Sequence, residues 1–177
     1  MKKGLISLFL ILTMVVTFSS SVFAAYTPAI RTSDGQTLEA EPNDYEEDAT
    51  ILWKSSTGTY LCLGTIRYIE DQDNYVFRSD KTQTRTLKLQ NNSALRGSGG
   101  DTFLAIVDVT ANNLVFAQSV VFDGVGTAIE VPFQAVAGHD YIISVNLEGP
   151  VDAIQARLDY LATINGGKGH VYVVFVQ

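Results

Sequence analysis

From Leu61 onward one pattern recurs: a short run of β-branched, aromatic or alternating apolar residues, then a turn signal of Gly, Asn, Asp or Pro. Successive side chains of a strand point to opposite faces, so each run must be stacked in a sheet to bury its apolar side. The runs are Leu61 to Ile69, Tyr75 to Arg78, Thr84 to Leu89, Phe103 to Val109, Leu114 to Phe122, Ala128 to Phe133, Tyr141 to Leu147, Val151 to Ile164 and His170 to Val176. Thr110-Ala111-Asn112-Asn113, Gly124 with Gly126, Gly138-His139-Asp140, Glu148-Gly149-Pro150 and Asn165-Gly166-Gly167-Lys168-Gly169 supply the turns, and Asn91 to Gly100 a polar, Gly-rich loop. Helix competes at Val151 to Ile164, but Ile154, Ala156, Leu158, Tyr160, Ala162 and Ile164 fall at every second position and only Leu161 breaks the alternation, so a strand is expected there. The last strand is apolar on both faces and should be central or covered. About nine strands with turns at short intervals make a two-sheet β-sandwich the expected fold.

Residues 1–24 stand apart. Lys2 and Lys3 form a basic start, Leu5 to Val16 an apolar run, and Val22-Phe23-Ala24 a small-x-small exit. The apolar run is short for a membrane span and Thr17 to Ser21 interrupts it, so a signal peptide cleaved after Ala24, with Ala25 as the alternative, is expected. Export follows, with no membrane anchor after cleavage and no cysteine at that site for a lipid. Cleavage leaves 153 of 177 residues and removes two lysines, moving the formal charge from −7 to −9. That acidity argues against nucleic acid or anionic lipid as partner. Residues 25–38 read as a leader with one short edge strand, and 39–177 as a single domain. Within it, Asp44 to Leu52 is expected to form one or two helical turns, capped by Asn43 or Asp44, with Ala49 and Leu52 inward and Trp53 over an end of the core.

Catalytic signatures find little support. Cys62 is the sole cysteine, so no intramolecular disulfide forms, and its neighbours Leu61 and Leu63 mark it as a buried thiol. His139 and His170 read as a turn residue and a strand residue, and no H-E-x-x-H occurs. Gly97-Ser98-Gly99-Gly100 lacks the glycine two before the serine that a nucleophile elbow needs; Arg96 stands there. Asp71-Gln72-Asp73 opens like an EF-hand loop, yet Val76 occupies the glycine position and Thr82 the final glutamate position. Paired carboxylates abound, but nothing in the sequence selects one pair for glycoside hydrolysis.

Two acidic segments do stand out: Glu39-Ala40-Glu41-Pro42-Asn43-Asp44 and Glu70-Asp71-Gln72-Asp73-Asn74-Tyr75. Pro42 pushes Glu41 towards extended geometry, which sets Glu39, Glu41 and Asn43 on one face. The second segment runs into the alternation Tyr75, Val76, Phe77. Carboxylates and an amide oxygen converging from two loops suit a hard cation, since Ca²⁺ takes roughly 6–8 oxygens in irregular geometry. The plain alternative is two solvated acidic loops.

The run Glu41-Pro42-Asn43-Asp44, then Ala49 and Leu52, Gly64 and Ile66, and Asp71-Gln72-Asp73-Asn74-Tyr75-Val76-Phe77 resembles the bacterial pre-peptidase C-terminal domain, with weaker similarity through Tyr141 to Val145. That family is related to the collagen-binding domains of secreted bacterial collagenases. The resemblance implies a two-sheet antiparallel, jelly-roll-like β-sandwich that binds calcium. By position it implies Glu39, Glu41, Asn43 and Asp44 as one ligand segment and Asp73 and Glu70 as the other, with Asp71 a further candidate. Gly64 and Thr65 fall where the relatives offer a backbone or hydroxyl oxygen. Glu70 departs from the usual Asp of the family. The function implied is a secreted, non-catalytic, calcium-binding module that binds or stabilises an extracellular protein or polymer. The competing expectations are a hydrolase using surface carboxylates, and an inhibitor or matrix protein acting through an exposed sheet face.

Collagen is not an expected partner. The collagen-binding relatives grip a triple helix with aromatic residues on late strands, whereas in Tyr141 to Asn146 only Tyr141 is aromatic and it shares its face with the core-like Ile143 and Val145. Tyr172 and Phe175 point to opposite faces. Large partners are held by clusters of Tyr, Trp or Arg anchors, and none forms here. Insoluble collagen mixed with the protein and calcium should therefore retain none of it after a salt wash. Salt-resistant retention would show that an aromatic face had been misread.

Overall fold

The computed structural model describes residues 26–93, 101–122, 124–164 and 169–177. The expected signal peptide, most of the Gly-rich loop (94–100) and the turn 165–168 lie outside the described residues. Among these, thirteen strands form two facing sheets. The strands are β1 (Thr27–Pro28), β2 (Ile30–Arg31), β3 (Thr37–Leu38), β4 (Thr50–Ile51), β5 (Trp53–Lys54), β6 (Tyr60–Ile66), β7 (Gln72–Arg78), β8 (Gln83–Asn91), β9 (Asp101–Asp108), β10 (Asn113–Val120), β11 (Ala128–Ala135), β12 (Asp140–Glu148) and β13 (His170–Val176). One sheet, sheet A, runs β1-β4-β7-β12-β9-β10; the other, sheet B, runs β11-β8-β13-β6-β3-β2, with β5 also paired to β6.

The long strands coincide with eight of the nine expected runs, and the last strand is central in sheet B, as its two apolar faces require. The sheets are mixed rather than purely antiparallel: β1 with β4, β4 with β7 and β3 with β6 pair in parallel. The segment expected to be a leader contributes three two-residue strands, β1 to sheet A and β2 and β3 to sheet B.

Val151–Ile164 is an α-helix, α1, not a strand. Its buried residues are Ile154, Leu158 and Leu161, a helical i, i+4, i+7 stripe. Leu161, the residue that broke the alternation, completes that stripe. Ala153, Ala156 and Ala162 favour helix, and Pro150, whose carbonyl accepts the N–H groups of Ala153 and Ile154 at 3.0 Å, starts it. Ile154 and Leu158 join the core between the sheets. No helix among the described residues is long and apolar enough to cross a membrane. Asp44 to Leu52 forms only one 3₁₀ turn, Glu46–Asp48, entered from Tyr45 without a side-chain cap. Ala49 and Leu52 do point inward. Trp53 does not cover an end of the core: it pairs with Leu61 on the outer side of sheet B, under the Arg31 guanidinium at 4.4 Å.

The core follows period two. Tyr60, Cys62, Gly64 and Ile66 of β6 and His170, Tyr172, Val174 and Val176 of β13 face inward, against Asp73, Tyr75 and Phe77 of β7 and Tyr141, Ile143 and Val145 of β12. Phe77 is the aromatic hub, with ring centroids 5.0 Å from Tyr60, 5.3 Å from Tyr141 and 6.3 Å from Phe133. Phe77→Ala removes the partner of three rings and leaves a cavity between the sheets. It should cost about 3–5 kcal/mol in urea unfolding, and a loss below about 1 kcal/mol would mean that the ring cluster carries little of the stability.

Candidate metal centre

Two devices bring the acidic segments together. The first is the exit from β3: Thr37 points inward and Leu38 outward, so Glu39 points inward again, held by its N–H to the Leu63 carbonyl at 3.1 Å. The second is β7, which carries Asp73 inward, two residues before Tyr75. The Glu41–Pro42 peptide is cis, and the chain then runs beside β7, where Asn43 O accepts from Asn74 N at 3.1 Å and Asn74 Nδ2 at 2.9 Å.

Glu39, Glu41 and Asp73 converge, each offering an oxygen within 4.8 Å of the others. Glu39 and Asp73 are buried, and Glu41 forms the exposed lip. Two tyrosines tie the buried pair together. Tyr75 OH donates to Glu39 Oε2 at 2.7 Å, Tyr172 OH donates to Asp73 Oδ2, and the two hydroxyl oxygens lie 2.8 Å apart. Three oxygen–oxygen contacts share two hydroxyl protons, so all three are hydrogen bonds only when one carboxyl is protonated and donates to its tyrosine, which then donates to the other hydroxyl.

The electrostatics agree. Burial, with the charges of Glu41 and Asp71 adding to it, pushes Glu39 up to about 8 against the hydrogen bonds from Tyr75 and the Thr65 backbone. Burial and the Glu39 charge raise Asp73 well above the carboxylate range. Burial and the charges of Glu41 and Asp44 push Asp71 up to about 6, against the Arg67 N–H. Like charges crowded out of water cannot all ionise together unless a cation or a proton joins them.

The other expected ligands take different places. Asn43 is a brace, its Nδ2 reaching Thr50 Oγ1 at 3.3 Å, with its buried Oδ1 lacking a partner among the described residues. Asp44 clamps the second loop, accepting from Tyr68 OH at 3.1 Å and Gln72 N–H at 3.4 Å. Asp71 Oδ2 accepts the Arg67 N–H at 2.5 Å and its Oδ1 is buried without a partner. Thr65 contributes its backbone, since its side chain lies on the outer face of sheet B opposite Val171. Glu70 is exposed in the turn before β7, outside the three converging carboxylates. Sequence reasoning missed Tyr75, Tyr172 and the reason for Gly64. A Cβ on Gly64 would stand 2.1 Å from the Tyr75 hydroxyl and 2.5 Å from Tyr172 Cζ, so glycine there makes room for the bridge. The available signals were the tyrosine of D-x-D-x-Y and the inward parity of Tyr172. Cys62 adjoins the cluster, but burial and the Glu39 and Asp73 charges push its thiol far up, so it is no thiolate ligand.

The fold and site together are those of a β-sandwich with a carboxylate cluster at one end of its core. No family model matches the chain, and no curated protein matches it. The solved structures it is similar to share the fold. One is the pre-peptidase C-terminal domain of a Bacillus anthracis collagenase: 15% identity, TM-score 0.45, over 73% of this chain and 95% of that one. Another is a periplasmic inhibitor of g-type lysozyme from Aeromonas hydrophila: 15% identity, TM-score 0.41, over 73% and 95%. A third is a family 35 carbohydrate-binding module from Clostridium thermocellum: 9% identity, TM-score 0.37, over 59% and 68%. The first bears the family name that the sequence motifs suggested, and the likeness is one of fold.

The raised carboxyls set a pH dependence. Glutamate and aspartate titrate near about 4 in the unfolded chain, whereas Glu39 holds its proton to about 8 and Asp71 to about 6 in the fold. Between those values the folded state binds more protons, so the stability that Glu39 and Asp71 contribute is full below about pH 4 and is lost as pH rises towards 6 for Asp71 and 8 for Glu39. With EGTA present, the melting temperature should fall from about pH 5 to pH 8. A rise over that interval would contradict the cluster's electrostatics.

Proposed function

We propose that this protein is an exported, non-catalytic β-sandwich that binds calcium and acts by binding or stabilising an extracellular protein or polymer. The observation that carries this reading is the convergence of Glu39, Glu41 and Asp73, with Asp73 Oδ1 buried and unpartnered among the described residues. The donor set is all oxygen, which suits a hard cation rather than zinc or copper. Glu39, Glu41 and Asp73 would hold the ion. Asn43 Oδ1 and Asp71 Oδ1, both buried and partnerless, are the further oxygens in the same two segments. A bound cation supplies the positive charge that lets these carboxylates ionise together.

This role is structural. Tyr75 and Asp73 belong to sheet A, Tyr172 and the exit of β3 to sheet B, so an ion held by Glu39 and Asp73 joins the sheets where like charge would push them apart. Affinity should be that of extracellular modules, on the order of 10⁻⁴–10⁻³ M. At 1 mM Ca²⁺ this stabilises by about 0.4–1.4 kcal/mol, or roughly 1–5 °C in melting temperature. Glu41→Ala, at the exposed lip, should abolish most of that gain while leaving the melting temperature in EGTA undiminished, since it removes a like charge from the cluster, and Glu41→Ala with Asp73→Ala should abolish all of it. Identical melting curves in calcium and in EGTA would overturn the reading.

A further inference from the structure

The outer face of sheet B has an apolar centre. Trp53, Leu61 and Phe175 lie in one cross-strand row, and Leu38, Leu63 and Val173 in the next. All six are half-buried and sit on the side of the sheet opposite the inward-facing Tyr60, Cys62, Tyr172 and Val174. Sheet A is different: at Val76 and Ile142 its outer face lies under the segment carrying Ala49, with Tyr26 beside it. Among the described residues no segment does the same for sheet B. Strands apolar on both faces are those that are covered on both faces, and contiguous apolar patches at a surface mark docking sites.

We propose that this face pairs with the same face of a second copy about a two-fold axis. Charge selects that occupant. The chain carries a formal charge of −7, so copies repel wherever carboxylates meet. The two apolar rows contain no carboxylate, and their rim carries both signs: Arg31 over the Trp53 ring at 4.4 Å, and Lys88 beside Phe175 with Glu130 at 3.4 Å. A rim of mixed sign meets its own copy without a like-charge clash, as an isologous contact requires. Size sets the strength of the contact. Three strands at least seven residues long, β8, β13 and β6, about 4.8 Å apart, give a face of roughly 14 by 23 Å, on the order of 300 Å² per copy, with Trp53 of β5 and Leu38 of β3 at one margin. Two such faces fall below the about 1,000 Å² of a stable specific interface, so the dimer should be weak, reversible and concentration-dependent.

Sedimentation equilibrium of the purified protein in calcium tests this. The mass should rise from monomer towards dimer between about 1 and 100 µM, as for a weak, reversible contact. Val173→Lys, outward on β13, should weaken association at least about tenfold, with near-UV circular dichroism unchanged. Leu63→Lys on β6 should do the same should the first variant fail to fold. Trp53, the one tryptophan of the chain, gives a readout without substitution: its emission should shift to the red on dilution. A monomer at about 100 µM would overturn the proposal. So would association that survives both lysine substitutions, since the contact would then lie elsewhere, for example at the uncharged edge strand β10.

Discussion

The line from Glu39 through the hydroxyls of Tyr75 and Tyr172 to Asp73 is the interaction on which this end of the sandwich depends. It crosses between the sheets three times, and every member is buried. An isolated carboxylate in such a place would be several kcal/mol uphill. Hydrogen bonds from two tyrosines reduce that cost without cancelling it, and the residual is why Glu39 and Asp73 hold a proton well above the usual carboxylate range. Much of the neighbouring sequence serves this line. Gly64 leaves room for the hydroxyls, and Asn43 and Asp44 fasten the two acidic segments to each other and to the sheet.

The two outer faces show a division of labour. The segment from Glu41 presents that residue as a lip carboxylate, fastens Asn43 beside β7, then lays Ala49 over Val76 and Ile142 of sheet A. Cover for one sheet and delivery of acid to the cluster come from the same dozen residues, so loosening one disturbs the other. Sheet B has an apolar centre of its own and a rim of both signs. A strand such as β13 is thus apolar on both sides for two separate reasons: its inner side packs the core, and its outer side is surface.

Period two was legible wherever one face is buried and the turns are strong, which is why the long strands lie where the pattern puts them. It misled at residues 151–164. There Ala and Leu at alternate positions satisfy both periods, and only packing shows that Leu161 belongs to the stripe of Ile154 and Leu158. The two-residue strands near the amino terminus carry no periodicity at all; β3 pairs with the edge of the long strand β6, while β1 and β2 pair only with the equally short β4 and β3. At the site, the converging carboxylates stood in two compact acidic motifs and could be named. Tyr172 could not, because it lies about a hundred residues away and only the sheet register brings it to Asp73. Trp53 was misplaced for the same reason, since its pairing with Leu61 decides which side it faces.

The position of β13 has a consequence in time. It is the last strand of the chain, yet it lies between β6 and β8. During synthesis those two strands have only their outer neighbours, β3 or β5 on one side and β11 on the other, and the seam between them stays open until residues 170–176 emerge. The seam closes by pairings between residues some hundred positions apart, the kind of long-range contact that makes β proteins slow to fold. Tyr172 arrives with the same strand. The sheet centre and the tyrosine bridge are therefore completed together.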